Sequence, residues 1–226
     1  MPDERDGRPR KRLTAAARRQ MIVDAARDVF VESGLNGARL RDIAERVGIT
    51  EAYLYRHFDS KADLYEAAVL EPIRRAVEGF TERVEALVGN PAVQGCPPEQ
   101  TAPTGLDVVR RVNELMLEFM LDAVPYLGVA LFSDIGSGGG FYRAEIYPRI
   151  HDPVRFLLRG IKGWPPPGIE PDLVVNSMWG LNYGIALDTL LRGGTVDVAR
   201  TAERVTRLYA VGIPEFKRAK TATRRG

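Results

Sequence analysis

The chain has 226 residues, of which 45% are hydrophobic and 27% charged, with a formal net charge of +2. That balance belongs to a globular protein with a sizeable core and excludes a disordered or fibrous chain. The lone cysteine, Cys96, allows no internal disulfide and has no zinc-ligand spacing around it, so the reading is a cytoplasmic protein with no metal and no cofactor.

Residues 1–20 hold seven Lys/Arg against three acids, and residues 215–226 five against one, so each end carries +4 and −6 is left between them. The expected organisation begins with a basic disordered arm at 1–17 and ends with a basic tail at 215–226. No apolar stretch follows the N-terminal charges as a secretory signal requires. The longest uncharged apolar run, Ala123 to Phe132, is roughly half of what a bilayer span needs, so no membrane is expected.

Helical periodicity dominates from there. Ile22, Ala25, Ala26, Val29 and Phe30 form one stripe of a helix that Gly34 ends. Leu40, Ile43, Ala44 and Val47 form a shorter stripe closed by Gly48, and a third helix starts at Thr50, whose hydroxyl can cap it, and runs to about Phe58. Ser60 opens a fourth helix, with Asp63 completing an imperfect capping box, that continues to about Val88 with a kink at Pro72.

The stretch Gly89 to Gly105 has four prolines and no apolar period, and reads as a flexible connection. A helix with Val108, Val112, Leu115 and Phe119 on one stripe follows, and Pro125 begins another to about Asp134. The glycines of residues 136–140 are expected to break the chain. Phe141 to about Lys162 reads as a helix disturbed at Pro148 and Pro153, and two last helices lie near 171–192 and 195–211. With no alternating strand pattern, the fold class is all-α, with about nine helices.

Two short amphipathic helices joined at Gly48 are the mark of a helix-turn-helix, a weak signal alone. The surrounding residues sharpen it. Ile22 through Phe30, Gly34, Asp42-Ile-Ala-Glu-Arg-Val-Gly-Ile-Thr50 and Leu54-Tyr-Arg-His-Phe-Asp-Ser-Lys61 together resemble the DNA-binding domain of TetR-family regulators over about residues 18–65. The resemblance implies an N-terminal three-helix DNA-binding domain at 18–65 and a larger helical dimerisation and ligand-binding domain at 66–214. Ile22, Ala26, Phe30, Ile43, Val47, Ile49, Leu54 and Phe58 are the expected core of the smaller domain.

The helix at 50–58 would then enter the major groove of double-stranded DNA with Thr50, Glu51, Ala52 and Tyr53 at base edges. Tyr55, His57 and Lys61 would bond phosphates, and Arg41 a phosphate or a nearby base. Singly, these side chains read as packing or solvated charge; their common register assigns them to DNA. Two positions depart from the family. Arg39 stands where the family usually has threonine, so a hydroxyl cap is lost and a phosphate contact can replace it. Glu51 places a carboxylate near phosphates, where it either accepts from a cytosine amino group or turns away.

In the larger domain, Leu173, Met178, Leu181, Ile185, Leu187 and Leu191 give the 171–192 helix apolar surface around most of its girth. Gly180 and Gly184 permit close approach of another helix, and Val198, Ala202, Val205 and Tyr209 form a narrow stripe on the next. Family members dimerise through their last two helices, which implies a homodimer reading a palindromic operator. A pocket for a small apolar or aromatic effector would be lined by Phe80, Met116, Phe119, Met120, Phe132, Tyr142, Phe156 and Trp179, with Asn113, Asn176 or Asn182 as polar contacts. Plain core packing is the competing reading for each.

Enzymatic function is not expected. His151 has no nucleophile at a motif spacing, the glycines at 136–140 lack the Lys-Ser/Thr of a phosphate loop, and Cys96 has no nearby base. The sequence therefore reads as a repressor released by a ligand, the alternative being a helical scaffold that does not touch DNA.

Overall fold

The computed structural model describes residues 14–88, 105–132, 135–161 and 169–211, in which regular structure consists of ten α-helices and two π turns, with no strand among the described residues. The chain divides into two compact units, Met1–Leu70 and Glu71–Gly226. Residues 1–13 of the expected arm, 89–104 of the expected connection and the whole expected tail at 215–226 lie outside the described residues.

In the first unit, α1 (Ala15–Gly37) starts earlier than the arm's expected end, because Thr14 accepts the Ala17 amide at its hydroxyl and caps the helix. Gly34 interrupts α1 at φ 67°, and Gly48 ends α2 (Leu40–Val47) at φ 74°; side chains other than glycine's rarely adopt that left-handed backbone. The next helix, α3, is short (Glu51–Leu54). Beyond it only single turns continue to Phe58, whose amide bonds the Leu54 carbonyl at 3.2 Å, so the helix expected to reach residue 58 ends sooner.

Burial explains this unit. Ile22, Ala26, Phe30, Ile43, Leu54 and Phe58 are all buried as expected, joined by Leu64, Ala68 and Val69. Val47 and Ile49 are only half-buried, since α2 is too short for its C-terminal turn to reach the centre. Phe30 meets Tyr65 edge-on at 5.1 Å, tying α1 to α4 (Lys61–Tyr65). Asp63, one methylene shorter than the glutamate of a full capping box, accepts the Asp59 amide instead of that of Ser60, the cap residue.

At Pro72 and Pro148, where a kink and a disturbance were expected, the proline reshapes the turn before it. Glu66–Leu70 and Tyr142–Ile146 are π turns, each ending two residues before a proline, Pro72 and Pro148. A proline ring clashes with the carbonyl four residues back, here Ala68 and Ala144, and widening the preceding turn relieves that crowding.

In the second unit, α6 (Gly105–Phe132) runs uninterrupted through Pro125, where two helices were expected. An internal proline costs about 3 kcal/mol. Val124, Leu127, Val129 and Ala130 bury apolar side chains around and beyond it, each large one stabilising by about 1.5–3 kcal/mol, so burial outweighs the lost bond. The resulting 28 residues are long and apolar enough to cross a membrane by composition, but α6 instead forms the hub on which α5 (Glu71–Val88), α9 (Pro171–Arg192) and α10 (Val198–Val211) pack.

The glycine run does not break the chain either, because α7 (Ile135–Phe141) is helical. A β-carbon at Gly138 would lie 2.5 Å from the Leu131 carbonyl oxygen, so glycine there permits α7 to fold back tightly on the end of α6. Pro153 sits inside α8 (Tyr147–Gly160) and leaves the Arg149 carbonyl without its helical partner. The Thr81 hydroxyl, from α5, approaches that oxygen at 3.2 Å.

Candidate nucleic-acid interface

The corner between α2 and α3 is built from local chemistry. Arg39 caps α2 in extended conformation with no side-chain hydrogen bond, as the missing hydroxyl predicts. Gly48 turns the chain left-handed, and the following Ile49 amide bonds the Ala44 carbonyl at 3.0 Å, closing α2. Thr50 then accepts the Tyr53 amide at its hydroxyl, 3.2 Å away, and starts α3. Leu54 and Phe58 anchor this segment in the core, which leaves the intervening side chains facing outward.

Of the expected DNA-contacting residues, Arg39, Arg41, Thr50, Glu51, Ala52 and Tyr55 are exposed, Tyr55 to 51%, while Tyr53, His57 and Lys61 are half-buried. Tyr53 and His57 hold each other, their ring centroids 5.3 Å apart. The Lys61 ammonium donates a long 3.5 Å bond to the Asn36 carbonyl, which orients it over the end of α1 with protons to spare. Arg41 bonds Glu45 at 2.7 Å; that bond, then the charges of Glu45, Asp42 and Glu51, raises its pKa. Both groups are exposed, so a phosphate can compete for the guanidinium.

Three cationic positions went unmarked in the sequence. Arg56 lies 5.7 Å over the Tyr53 ring, a pairing that the i, i+3 spacing does signal. Arg19 covers Phe58 at 4.6 Å, and Arg46 grips both carboxylate oxygens of Glu32 at 2.9 and 3.1 Å, locking α2 against α1. These last two join residues far apart in the chain, and no local spacing reveals them.

The second unit gathers several of the expected effector contacts. Phe80, Met116, Phe119, Met120 and Asn113 are fully buried. Phe80 meets Phe119 at 5.7 Å, Phe119 meets Trp179 at 5.9 Å, and Trp179 meets Tyr142 at 5.9 Å, forming a ladder of rings. His151, unassigned from sequence, completes it: it lies 5.3 Å from Trp179, stacks on Tyr147 at 4.7 Å, and bonds the Tyr142 hydroxyl at 2.8 Å. Burial, then the nearby Arg155 charge, lowers its pKa to about 4.

Three expected contacts fall outside this interior. Phe132 is 65% and Phe156 67% exposed, and Asn176 is exposed too. Phe132 ends α6, while Phe156 and Asn176 project from the helix sides opposite Val154 and Met178, so none lines the core of the unit. Asn182 does: its amide donates to the Met178 carbonyl at 2.8 Å and to Asn113 at 3.2 Å, and Asn113 reaches Thr206 at 3.3 Å. The Asn182 carbonyl oxygen is buried without a partner. A cleft of about 620 Å³ opens elsewhere, between the start of α6 and α10, and is lined by charged groups including Asp107, Arg110, Asp197 and Arg207. Among the described residues no cluster of His, Cys, Asp or Glu could hold a metal ion.

Comparison with known proteins matches this geometry. A curated relative, the HTH-type transcriptional activator FasR of Mycolicibacterium smegmatis, is 34% identical over 79 residues, 35% of this chain and 36% of its own length. The match thus spans about a third of that protein. Solved structures extend the likeness in fold. A TetR-like transcriptional regulator from Rhodococcus sp. RHA1 superposes with a TM-score of 0.59 at 22% identity, covering 89% of this chain and all of its own. The regulator FadR from Bacillus subtilis, solved in complex with stearoyl-CoA, gives 0.55 at 16% identity, covering 86% and 98%. Residues 22–68, the segment that holds the helix-turn-helix, match the profile of the bacterial regulatory proteins, tetR family.

Proposed function

We propose that this protein is a sequence-specific, homodimeric transcriptional regulator, a repressor that leaves its operator when a small apolar or aromatic molecule binds the second unit. One observation carries the DNA reading: α3 is anchored by Leu54 and Phe58 while Glu51, Ala52, Tyr55 and the capping Thr50 stand in solvent. A short helix held this way can enter a major groove, with Tyr55, His57, Lys61, Arg39 and Arg41 bonding phosphates beside it. A helical scaffold has no need of so many phosphate-bonding groups around one exposed turn.

A single four-residue helix offers too few contacts for tight binding, so two copies must act together on a palindrome. The dimer surface we assign is α9 with α10. Leu173, Leu190, Leu191 and Leu208 are exposed there, and a β-carbon on Gly180 or Gly184 would meet nothing within 4 Å among the described residues. The aromatic ladder supports an apolar effector, in line with the stearoyl-CoA bound in the FadR structure. The function so described is exercised on DNA in the cytoplasm and requires no catalysis.

Selection of bound sequences from random duplex DNA tests the reading. A palindrome with half-sites about one helical turn apart is expected. Binding that ignores sequence and weakens uniformly with salt would refute it.

A further inference from the structure

We propose that Glu51 reads a base directly and selects cytosine at one position of each operator half-site. This rests on the DNA-binding reading above and goes beyond it by naming the base. Glu51 is the first residue of α3, exposed, and its carboxylate has no hydrogen bond or ion pair to any described residue. The local tasks open to a carboxylate there are already filled. Thr50 caps the helix through its hydroxyl, and Arg41, whose field Glu51 feels, is bonded to Glu45 at 2.7 Å.

An unpaired carboxylate on a phosphate-binding surface weakens every non-specific encounter with DNA. It is useful there only if it meets a donor. Cytosine presents its N4 amino group in the major groove with no acceptor of its own. Adenine's amino group sits beside N7, an acceptor that repels a carboxylate, and guanine shows two acceptors. None of the neighbouring exposed side chains offers acceptors alone. Among the exposed residues of 51–57, Ala52 offers a methyl, Tyr55 a hydroxyl that both donates and accepts, and Arg56 donors alone. Glu51 is the acceptor-only group of that set.

The test is selection from random duplexes with the full chain as wild type, Glu51→Gln and Glu51→Ala, followed by titration of the selected operator with each base at each position. Wild type should require cytosine at one position per half-site, with affinity falling about ten-fold for other bases. Glutamine, which donates and accepts, should move that one preference to adenine. Alanine should erase it and leave the rest of the operator unchanged. The inference is overturned if all three proteins select the same sequence, or if alanine tightens binding to every duplex equally, which would make the carboxylate only a repeller of phosphate. A wild-type chain that selects no sequence removes the regulator reading and this inference with it.

Discussion

Stability should depend on pH through His151, and by an amount large enough to measure. The ring is 3% exposed, enclosed by Tyr142, Tyr147 and Trp179, and burial lowers its pKa from 6.5 to about 4. Because the folded value is depressed, the unfolded chain takes up the proton first as pH falls. The stabilisation is therefore fully present above pH 6.5 and is lost progressively as pH drops towards 4. A displacement of that size corresponds to about 2 kcal/mol lost by pH 5 and about 3 kcal/mol by pH 4. Urea unfolding at pH 8, 6 and 5, followed by tryptophan fluorescence, measures it, since Trp179 lies 5.3 Å from the histidine. His151→Gln is the reference: it retains a partner for the Tyr142 hydroxyl and shares every carboxylate with the wild type. The difference in stability between the two should shrink by about 2 kcal/mol from pH 8 to pH 5. A difference that stays constant across that range would show that the ring takes up its proton equally in both states, and the dry aromatic enclosure would be wrong.

Phe119→Ala removes the ring between Phe80 and Trp179 and should cost about 3–5 kcal/mol, read as a lower urea midpoint at an unchanged slope. Lys61→Ala should weaken binding to all duplexes alike and lower the salt dependence by about one phosphate contact in a titration over ionic strength; a sequence-dependent loss would contradict its assignment. Gly184→Leu adds a side chain where the described residues leave open space, so circular dichroism should be unchanged while light scattering reports monomer in place of dimer. An intact dimer would move the interface away from α9.

The helix-turn-helix was legible almost residue by residue because its determinants are local: a stripe of period 3.6, two glycines at positive φ, and hydroxyl caps at Thr50 and Ser60. Half-buried Val47 and Ile49 show where locality ends, since periodicity says which face an apolar residue occupies but not how far a short helix reaches inward. Proline and glycine misled for a related reason. Their propensities describe an isolated helix, whereas α6 passes Pro125 and α7 forms over the glycine run because neighbouring helices fix them in place. The interior of the second unit was half legible. Phe80, Phe119, Tyr142 and Trp179 were marked by type and do come together, but Phe132, Phe156 and Asn176 look no different in sequence and face solvent. His151 was passed over because its partner Tyr142 lies nine residues away, across a π turn that alters the helical register.

The helix α9 brings three features together on one rod of 22 residues. Trp179 belongs to the aromatic ladder, Asn182 to the polar network, and Gly180 and Gly184 to the surface assigned to the dimer. A helix is stiff along its axis, so a molecule that displaces the indole shifts all three together. What opposes the shift is the Asn182–Asn113 bond at 3.2 Å, since breaking it strands a buried amide at about 1–3 kcal/mol. Coupling between a ligand site and a distant binding surface is typically about 1–3 kcal/mol as well. The cost of parting the two asparagines is therefore of the same size as a typical coupling free energy.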